Sequence, residues 1–200
     1  MTGINAIFLY AKQLFQEITD GDATLSQYLI LGMAFCQLVA CTFSGRFIDS
    51  FGRKYLLLKG QLGIIGIMAA IFLIDSWQEY FSKDIYHSSL ICLFYLHVVF
   101  FNFSLGPVHI LYAAELVNDT TPIIVTNRIL SLTAATTTNY LMHEFGIGPM
   151  CLMYCVLSLS AHSYLRDRLR ETKGKSKVQI LEMFEVSIRE NEPDQKRLVV

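Results

Sequence analysis

Residues that could do covalent chemistry are present in this chain but are not gathered into a site. All five cysteines fall inside apolar stretches, at Cys36, Cys41, Cys92, Cys151 and Cys155. None forms the CxxC spacing of a zinc or redox centre. No apolar stretch presents a nucleophile beside a base or a cluster of metal ligands. We therefore predict that the chain is not an enzyme and holds no metal or cofactor.

Polar and ionisable side chains instead lie within the apolar stretches. His109 is ionisable, so a pH-sensitive gate is one hypothesis for it, but we favour a neutral residue that lines a cavity or packs. A second polar group consists of Thr133, Thr136, Thr137, Thr138 and Asn139. Because lipid offers a hydroxyl no partner, we expect this group to face other polar groups or a wet cavity.

The amino-acid composition is far from that of a soluble domain. Of the 200 residues, 53% are hydrophobic and 16% are charged, whereas soluble domains have about 25% charged residues. Residues 23–45 carry no charge, and residues 55–74 carry only Lys59. Each stretch is long enough to cross a bilayer, which takes about 20 apolar residues. The composition predicts a membrane protein, and basic residues confined to the ends of apolar stretches predict no binding of nucleic acid.

A short basic segment, residues 45–54, joins these two stretches and sets the orientation. Gly52 allows the chain to reverse, and Arg53 and Lys54 are typical of a turn in the cytoplasmic headgroup layer. Further basic residues fall on the same side, at Arg46, Lys59, Arg128, Arg166, Arg168, Arg170, Lys173, Lys175 and Lys177. Only Lys12 and Lys83 fall on the other side. We predict a multi-pass membrane protein with a cytoplasmic C-terminus.

The fold predicted from these stretches is an all-α membrane bundle over residues 1–165. Its spans are residues 4–17 (the outer half of a broken helix), 25–48, 55–74, 88–117, 123–142 and 145–165. Residues 166–200 form a cytoplasmic tail with an amphipathic helix at about 177–189. Gly60, Gly63 and Gly66 predict a bare packing strip on the second full span, and Gly106-Pro107 predict a break in the third.

Four separated segments carry a resemblance to one family. Residues 2–10 are similar to the broken seventh helix of facilitative glucose transporters. Residues 49–54 resemble the acidic-x-x-Gly-Arg-Arg loop between their helices eight and nine. Residues 171–175 resemble their Pro-Glu-Thr-Lys-Gly signature after helix twelve, although Arg170 replaces the proline. Gly106-Pro107 with Ala114-Glu115-Leu116 resembles helix ten. The resemblance is to the C-terminal six-helix half of the sugar-porter branch of the major facilitator superfamily.

The resemblance implies facilitated hexose transport, in which two six-helix halves rock about a central sugar site. Asn5 matches a position that hydrogen-bonds hexose hydroxyls, and the alternative is a helix cap. Gln37 and Asn102 lie where the family has sugar-contacting polar groups, and the alternative is a hydrogen bond between helices. Tyr10 matches a tyrosine near the outer gate.

The helix-ten segment departs from the family pattern at its centre. After Gly106-Pro107 the family has a second proline and then a tryptophan that stacks on the sugar. Here His109 and Ile110 occupy those positions, so a stacking face is missing. Gly106 and Pro107 match the family and are candidate gating residues, and His109 is a further candidate because it is ionisable within a span. The departure leaves glucose itself in question.

The resemblance also implies a cytoplasmic ion-pair cluster that latches one conformation. Arg53 and Lys54 are placed to meet Glu115 and Glu171, with Asp49 beside them. Such a cluster at a headgroup boundary can bias two conformations by a few kcal/mol, because it is less screened than in water.

Two hypotheses of function follow. In the first, the chain is half of a hexose transporter, with the bilayer, the sugar and a missing N-terminal half as its partners, and is inactive alone. A start at Met1 would place a charged amine near the bilayer midplane, so we expect the native start to lie upstream. In the second, the chain is a non-transporting membrane protein that pairs with a sugar transporter and regulates it.

Overall fold

A computed structural model describes residues 4, 15–16, 19, 21–117, 119–176, 178–180 and 182–184, with backbone alone at 139, 142 and 143. Its helices are α1 (Ala23–Phe51), α2 (Arg53–Ser76), α3 (Lys83–Phe100), α4 (Gly106–Leu116), α5 (Thr121–Phe145) and α6 (Ile147–Arg168). A 3₁₀ turn, Gln78–Tyr80, follows α2, and a π turn, Phe101–Leu105, joins α3 to α4. The described part of the chain is all-helical.

Helix α1 begins at an aspartate cap and ends at a glycine. The Asp22 carboxylate accepts hydrogen bonds from the amides of Thr24 (2.9 Å) and Leu25 (3.1 Å). The sequence predicts a turn over residues 45–54, but the helix continues to Phe51 and the chain reverses at Gly52 alone, where φ is 89°. A continued helix pairs the peptide groups of its interior, so a shorter turn leaves fewer backbone groups in need of a partner.

The third apolar stretch is helical through the predicted break. Helix α3 begins at Lys83, and helical structure continues across Gly106-Pro107 to Leu116. The π turn immediately before Gly106 accommodates the proline, which has no amide hydrogen and whose ring crowds the carbonyl four residues earlier. The proline therefore widens the helix and does not end it.

Helices α5 and α6 meet at a glycine turn. The Asp119 carboxylate accepts from the Thr121 amide (2.9 Å) at the start of α5, and the hydrogen bonds of Thr121 lower the pKa of Asp119. Gly146, with φ of 85°, separates the two helices. Helix α6 then runs from Ile147 to Arg168, beyond the predicted end of the last span at residue 165.

Three helical segments within the described residues are long and apolar enough to cross a membrane. They are Ala23–Phe51, Arg53–Ser76 and Lys83–Leu116. The prediction of an all-α membrane protein is confirmed at this level, and spans over 123–142 and 145–165 stay predictions. Of the partial span 4–17, Ile4, Phe15 and Gln16 are described and helical; of the tail helix 177–189, residues 178–180 and 182–184 are. The rest of both segments lies outside the described residues.

Helix α2 lies at the centre of the bundle and packs closely against α6. Ile64, Met68 and Ile71 of α2 and Cys151 of α6 are fully buried. The Gln61 amide donates to the Ser158 carbonyl at 3.1 Å across this interface. In a membrane such an interface is stabilised by van der Waals packing and hydrogen bonds, because lipid is as apolar as the side chains.

Two of the three α2 glycines make the predicted packing surface. A Cβ atom added at Gly60 would overlap the side chain of Ser104 in the π turn, and one at Gly63 would lie 2.6 Å from the Phe100 ring. A Cβ at Gly66 would meet nothing within 4 Å. The close approach of α2 to the end of α3 therefore depends on Gly60 and Gly63.

This difference predicts the outcome of a matched pair of substitutions. Gly60→Ala should lower the free energy of unfolding by about 1–3 kcal/mol, because Ser104 is too close to the backbone to move aside. Gly66→Ala is the control and should be neutral or slightly stabilising. Both are measured by SDS titration in mixed micelles. Equal effects of the two substitutions would contradict the close approach at Gly60.

Candidate functional site

The five predicted ion-pair residues, Asp49, Arg53, Lys54, Glu115 and Glu171, lie around the turn between α1 and α2, and we call them the Gly52 cluster. Its central contact joins α2 to α4. Arg53 Nη2 and Nε both lie 3.1 Å from Glu115 Oε1, and both side chains are largely buried, at 15% and 21% exposure. Partial burial weakens solvent screening of this pair. Asp49 lies 4.0 Å from Arg53 and is 82% exposed, so its pairing contributes little.

Glu171 binds the start of α2 through the backbone. Its Oε1 accepts from the Arg53 amide (2.9 Å) and its Oε2 accepts from the Lys54 amide (3.0 Å). The sequence predicts contacts with the basic side chains, but the first amides of a helix have no partner within the helix and attract a carboxylate. In the described part of the chain the Lys54 ammonium makes no ion pair, so Lys54 contributes its amide.

Gly52 makes this approach possible. A Cβ atom at this position would lie 2.8 Å from Glu171 Oε2. The residue also has φ of 89°, a conformation that side chains disfavour. Gly52 therefore serves both the reversal of the chain and the entry of the carboxylate.

The segment after α6 closes the cluster from the other side. The Thr172 hydroxyl donates to Glu115 Oε2 at 2.5 Å, and the Tyr112 hydroxyl donates to the Arg170 carbonyl at 2.9 Å. Lys173 Nζ donates to the Ser50 carbonyl of α1 at 2.8 Å. The Gly52 cluster thus joins α1, α2 and α4 to the chain that follows α6.

Two of the three predicted sugar-contacting residues, Asn102 and Gln37, fall within the described residues. Asn102 is buried in the π turn, and its amide donates to the carbonyl of Val98 in the same helical segment at 2.8 Å. Gln37 is half-buried on α1. Asn5, together with the predicted gate residue Tyr10, lies outside the described residues. The roles of all four stay predictions.

His109 belongs to a short polar row between α4 and α5. Its Nδ1 lies 2.7 Å from the Leu105 carbonyl, which can only accept, so Nδ1 carries the proton. Its Nε2 lies 3.4 Å from the amide nitrogen of Asn127, and the Ser131 hydroxyl donates to the amide oxygen of Asn127 at 3.4 Å. Asn127 and Ser131 were not predicted from the sequence, although their spacing of four residues places them on one face of a helix.

The threonine hydroxyls of α5 do not require a wet cavity. Thr133 Oγ1 donates to the Ile129 carbonyl (3.0 Å) and Thr137 Oγ1 to the Thr133 carbonyl (2.9 Å). Thr138 also hydrogen-bonds the Tyr154 hydroxyl of α6. A helix carbonyl four residues earlier can satisfy a threonine hydroxyl. Of the two expected surroundings, polar partners or a wet cavity, these threonines have polar partners.

Long apolar helices, polar side chains mostly hydrogen-bonded within the bundle and a charge cluster at one end are typical of an all-α membrane protein. The model of the Sugar (and other) transporter family matches residues 1–184. The chain belongs to this sugar transporter family, and the resemblance seen in its sequence is confirmed to that extent.

Individual relatives support the same assignment. The chain is 29% identical over 197 residues to the Glucose facilitated diffusion protein of Zymomonas mobilis, covering 92% of this chain and 40% of that protein. It is 27% identical over 191 residues to the Glucose transport protein of Synechocystis, covering 87% and 39%. It is 30% identical over 122 residues to Sugar transport protein 11 of Arabidopsis thaliana, covering 58% and 23%. The chain thus spans at most about two fifths of the length of these relatives.

The backbone contacts of Glu171 predict a specific loss of stability. Glu171→Ala leaves the Arg53 and Lys54 amides without an acceptor and should lower the free energy of unfolding by about 1–2 kcal/mol, as loss of a helix cap does. Glu171→Gln keeps one acceptor oxygen, so its free energy of unfolding should lie between those of Glu171→Ala and the native chain. SDS titration in mixed micelles measures all three.

The control for this prediction is Asp49→Asn, which removes an exposed carboxylate from the same turn. We expect a change below about 0.5 kcal/mol. If Glu171→Ala is no more harmful than Asp49→Asn, Glu171 does not cap α2.

Proposed function

We propose that this chain is the C-terminal half of a facilitative sugar transporter of the major facilitator superfamily. One observation carries the proposal. Residues 49–54, Glu115 and residues 171–175 are far apart in sequence, and they meet at one end of the bundle. The sequence resemblance assigns these segments to the helix eight–nine loop, helix ten and the end of helix twelve. Their meeting is what the six-helix C-terminal half requires.

The proposed activity is hexose movement by alternating access, together with an N-terminal half. The match to relatives named as glucose transporters supports this solute class, and the limited share of their length that the chain spans supports the need for a second half. Asn5, Gln37 and Asn102 are the proposed hexose contacts. The proposed orientation is a plasma-membrane protein with the Gly52 cluster and the C-terminus on the cytoplasmic side.

In the proposed cycle the Gly52 cluster is the cytoplasmic latch. Opening this end would separate α4 from α2 and would break the Arg53–Glu115 contact. The π turn directly before α4 is a suitable hinge, since its hydrogen-bond pattern already departs from the α-helical one. Gly106, Pro107 and His109, which directly follow the π turn, are proposed gating residues. Tyr10 is the proposed residue of the outer gate.

Uptake by proteoliposomes tests the proposal. We expect no entry of radiolabelled glucose with this chain alone, and saturable entry when it is co-reconstituted with the N-terminal half of the Zymomonas relative. Unlabelled mannitol should inhibit the entry of radiolabelled glucose less than an unlabelled hexose does. Absence of uptake from the pair, with both halves inserted, would favour the regulatory alternative, and uptake by the chain alone would contradict its being a half.

A matched pair of variants connects uptake to the latch. Arg53→Gln removes two charge-assisted contacts, worth about 1.5–3 kcal/mol each, and should slow glucose exchange about tenfold or more. Arg46→Gln changes an exposed base one helix turn before the cluster and should leave exchange unchanged. Equal rates for the two variants would show that the cluster does not control transport.

A further inference from the structure

A second carboxylate binds a helix start at the opposite end of α2. Asp75 Oδ2 accepts from the Gly148 amide at 3.0 Å, in the first turn of α6. Asp75 Oδ1 accepts from the Tyr86 hydroxyl of α3 at 2.7 Å. Gly148 is buried, and a Cβ atom added to it would overlap the Asp75 carboxylate. We call Asp75, Tyr86 and Gly148 the Asp75 clamp.

The Asp75 clamp and the Gly52 cluster use the same arrangement in opposite directions. At the clamp, α2 supplies the carboxylate and α6 supplies the amide and the glycine. At the cluster, Glu171 after α6 supplies the carboxylate, and α2 supplies the amides of Arg53 and Lys54 behind Gly52. The antiparallel helices α2 and α6 therefore bind each other's N-terminal ends.

This arrangement fixes how far α6 can slide along α2. An α-helix rises about 1.5 Å per residue, so a slip of one residue exceeds the tolerance of a hydrogen bond near 3.0 Å. Helices are stiff along their axes, and the Gln61–Ser158 hydrogen bond adds a third fixed point between the ends. If the Asp75–Gly148 hydrogen bond were lost and α6 slid along α2, Glu171 would therefore move away from the amides of Arg53 and Lys54.

We propose that Asp75 is a positioning residue that sets the lengthwise register of α6 on α2, so that the Gly52 cluster closes only while the Asp75 clamp is intact. Tyr86 extends the clamp to α3, so three helices share one fixed point. The coupling is a property of the chain's own fold. It does not depend on which solute the family member moves, or on whether this chain transports at all.

Hydrogen exchange tests the coupling directly. The full chain in detergent is exchanged into deuterated buffer, and exchange at the Arg53 and Lys54 amides is followed by mass spectrometry with fragmentation to single residues. Asp75→Leu removes the acceptor, and Gly148→Ala forces the Asp75 carboxylate aside. In both variants we expect these two distant amides to exchange about tenfold faster or more. Glu171→Ala gives the rate for complete loss of the contact.

Two control variants separate the clamp from general loosening. Gly66→Ala adds a methyl group to α2 where nothing lies within 4 Å and should leave exchange unchanged. Asp75→Asn keeps one acceptor for the Gly148 amide and a donor for the Tyr86 oxygen, so it should also retain slow exchange. If Asp75→Leu does not fold, Gly148→Ala and Gly66→Ala make the comparison.

Three results would overturn the proposal. In the first, the Gly148 amide exchanges faster in Asp75→Leu and Gly148→Ala while the Arg53 and Lys54 amides keep their native rates. In the second, exchange rises equally in the buried part of α3 around Phe94, which would indicate loss of the whole bundle. In the third, Asp75→Asn behaves like Asp75→Leu, which would exclude hydrogen-bond geometry as the cause.

Discussion

The contact between the Glu171 carboxylate and the first two amides of α2 determines the arrangement of one end of the bundle. A helix begins with amides that have no partner within the helix and need an acceptor from elsewhere. Glu171 supplies the missing acceptor, Gly52 gives it access, and Arg53 is left free to turn its side chain toward Glu115. Backbone capping thus places the ion pair that joins α2 to α4.

The need for a hydrogen-bond partner also accounts for the polar side chains within the apolar helices. Threonine hydroxyls of α5 donate to carbonyls of their own helix, and Asn102 does the same in the π turn. His109 is held by the Leu105 carbonyl and by Asn127 of α5. The polar residues of the described bundle are therefore mostly satisfied within one helix or between neighbouring helices.

The sequence predicted the all-α membrane class and the family, because apolar length and short motifs are local signals. It did not predict that Glu171 binds backbone amides, that α1 continues to Phe51, or that Gly106-Pro107 follow a π turn. The Asp75 clamp was also missed. These features depend on the register between elements distant in sequence, or on how the backbone responds to a proline. Neither the register nor the backbone response leaves a pattern in nearby residues.

The central claim is that α2 crosses the bilayer with the Gly52 cluster at one surface and the Asp75 clamp at the other. Labelling with a membrane-impermeant maleimide in sealed cells tests this claim. The reagent is applied to two variants, Lys173→Cys and Trp77→Cys, whose positions are both exposed. In both variants the exposed native residues Cys41 and Cys92 are replaced by serine. The account predicts that Trp77→Cys reacts from outside and that Lys173→Cys reacts only after the membrane is opened. Reaction of both cysteines from the same side would contradict it.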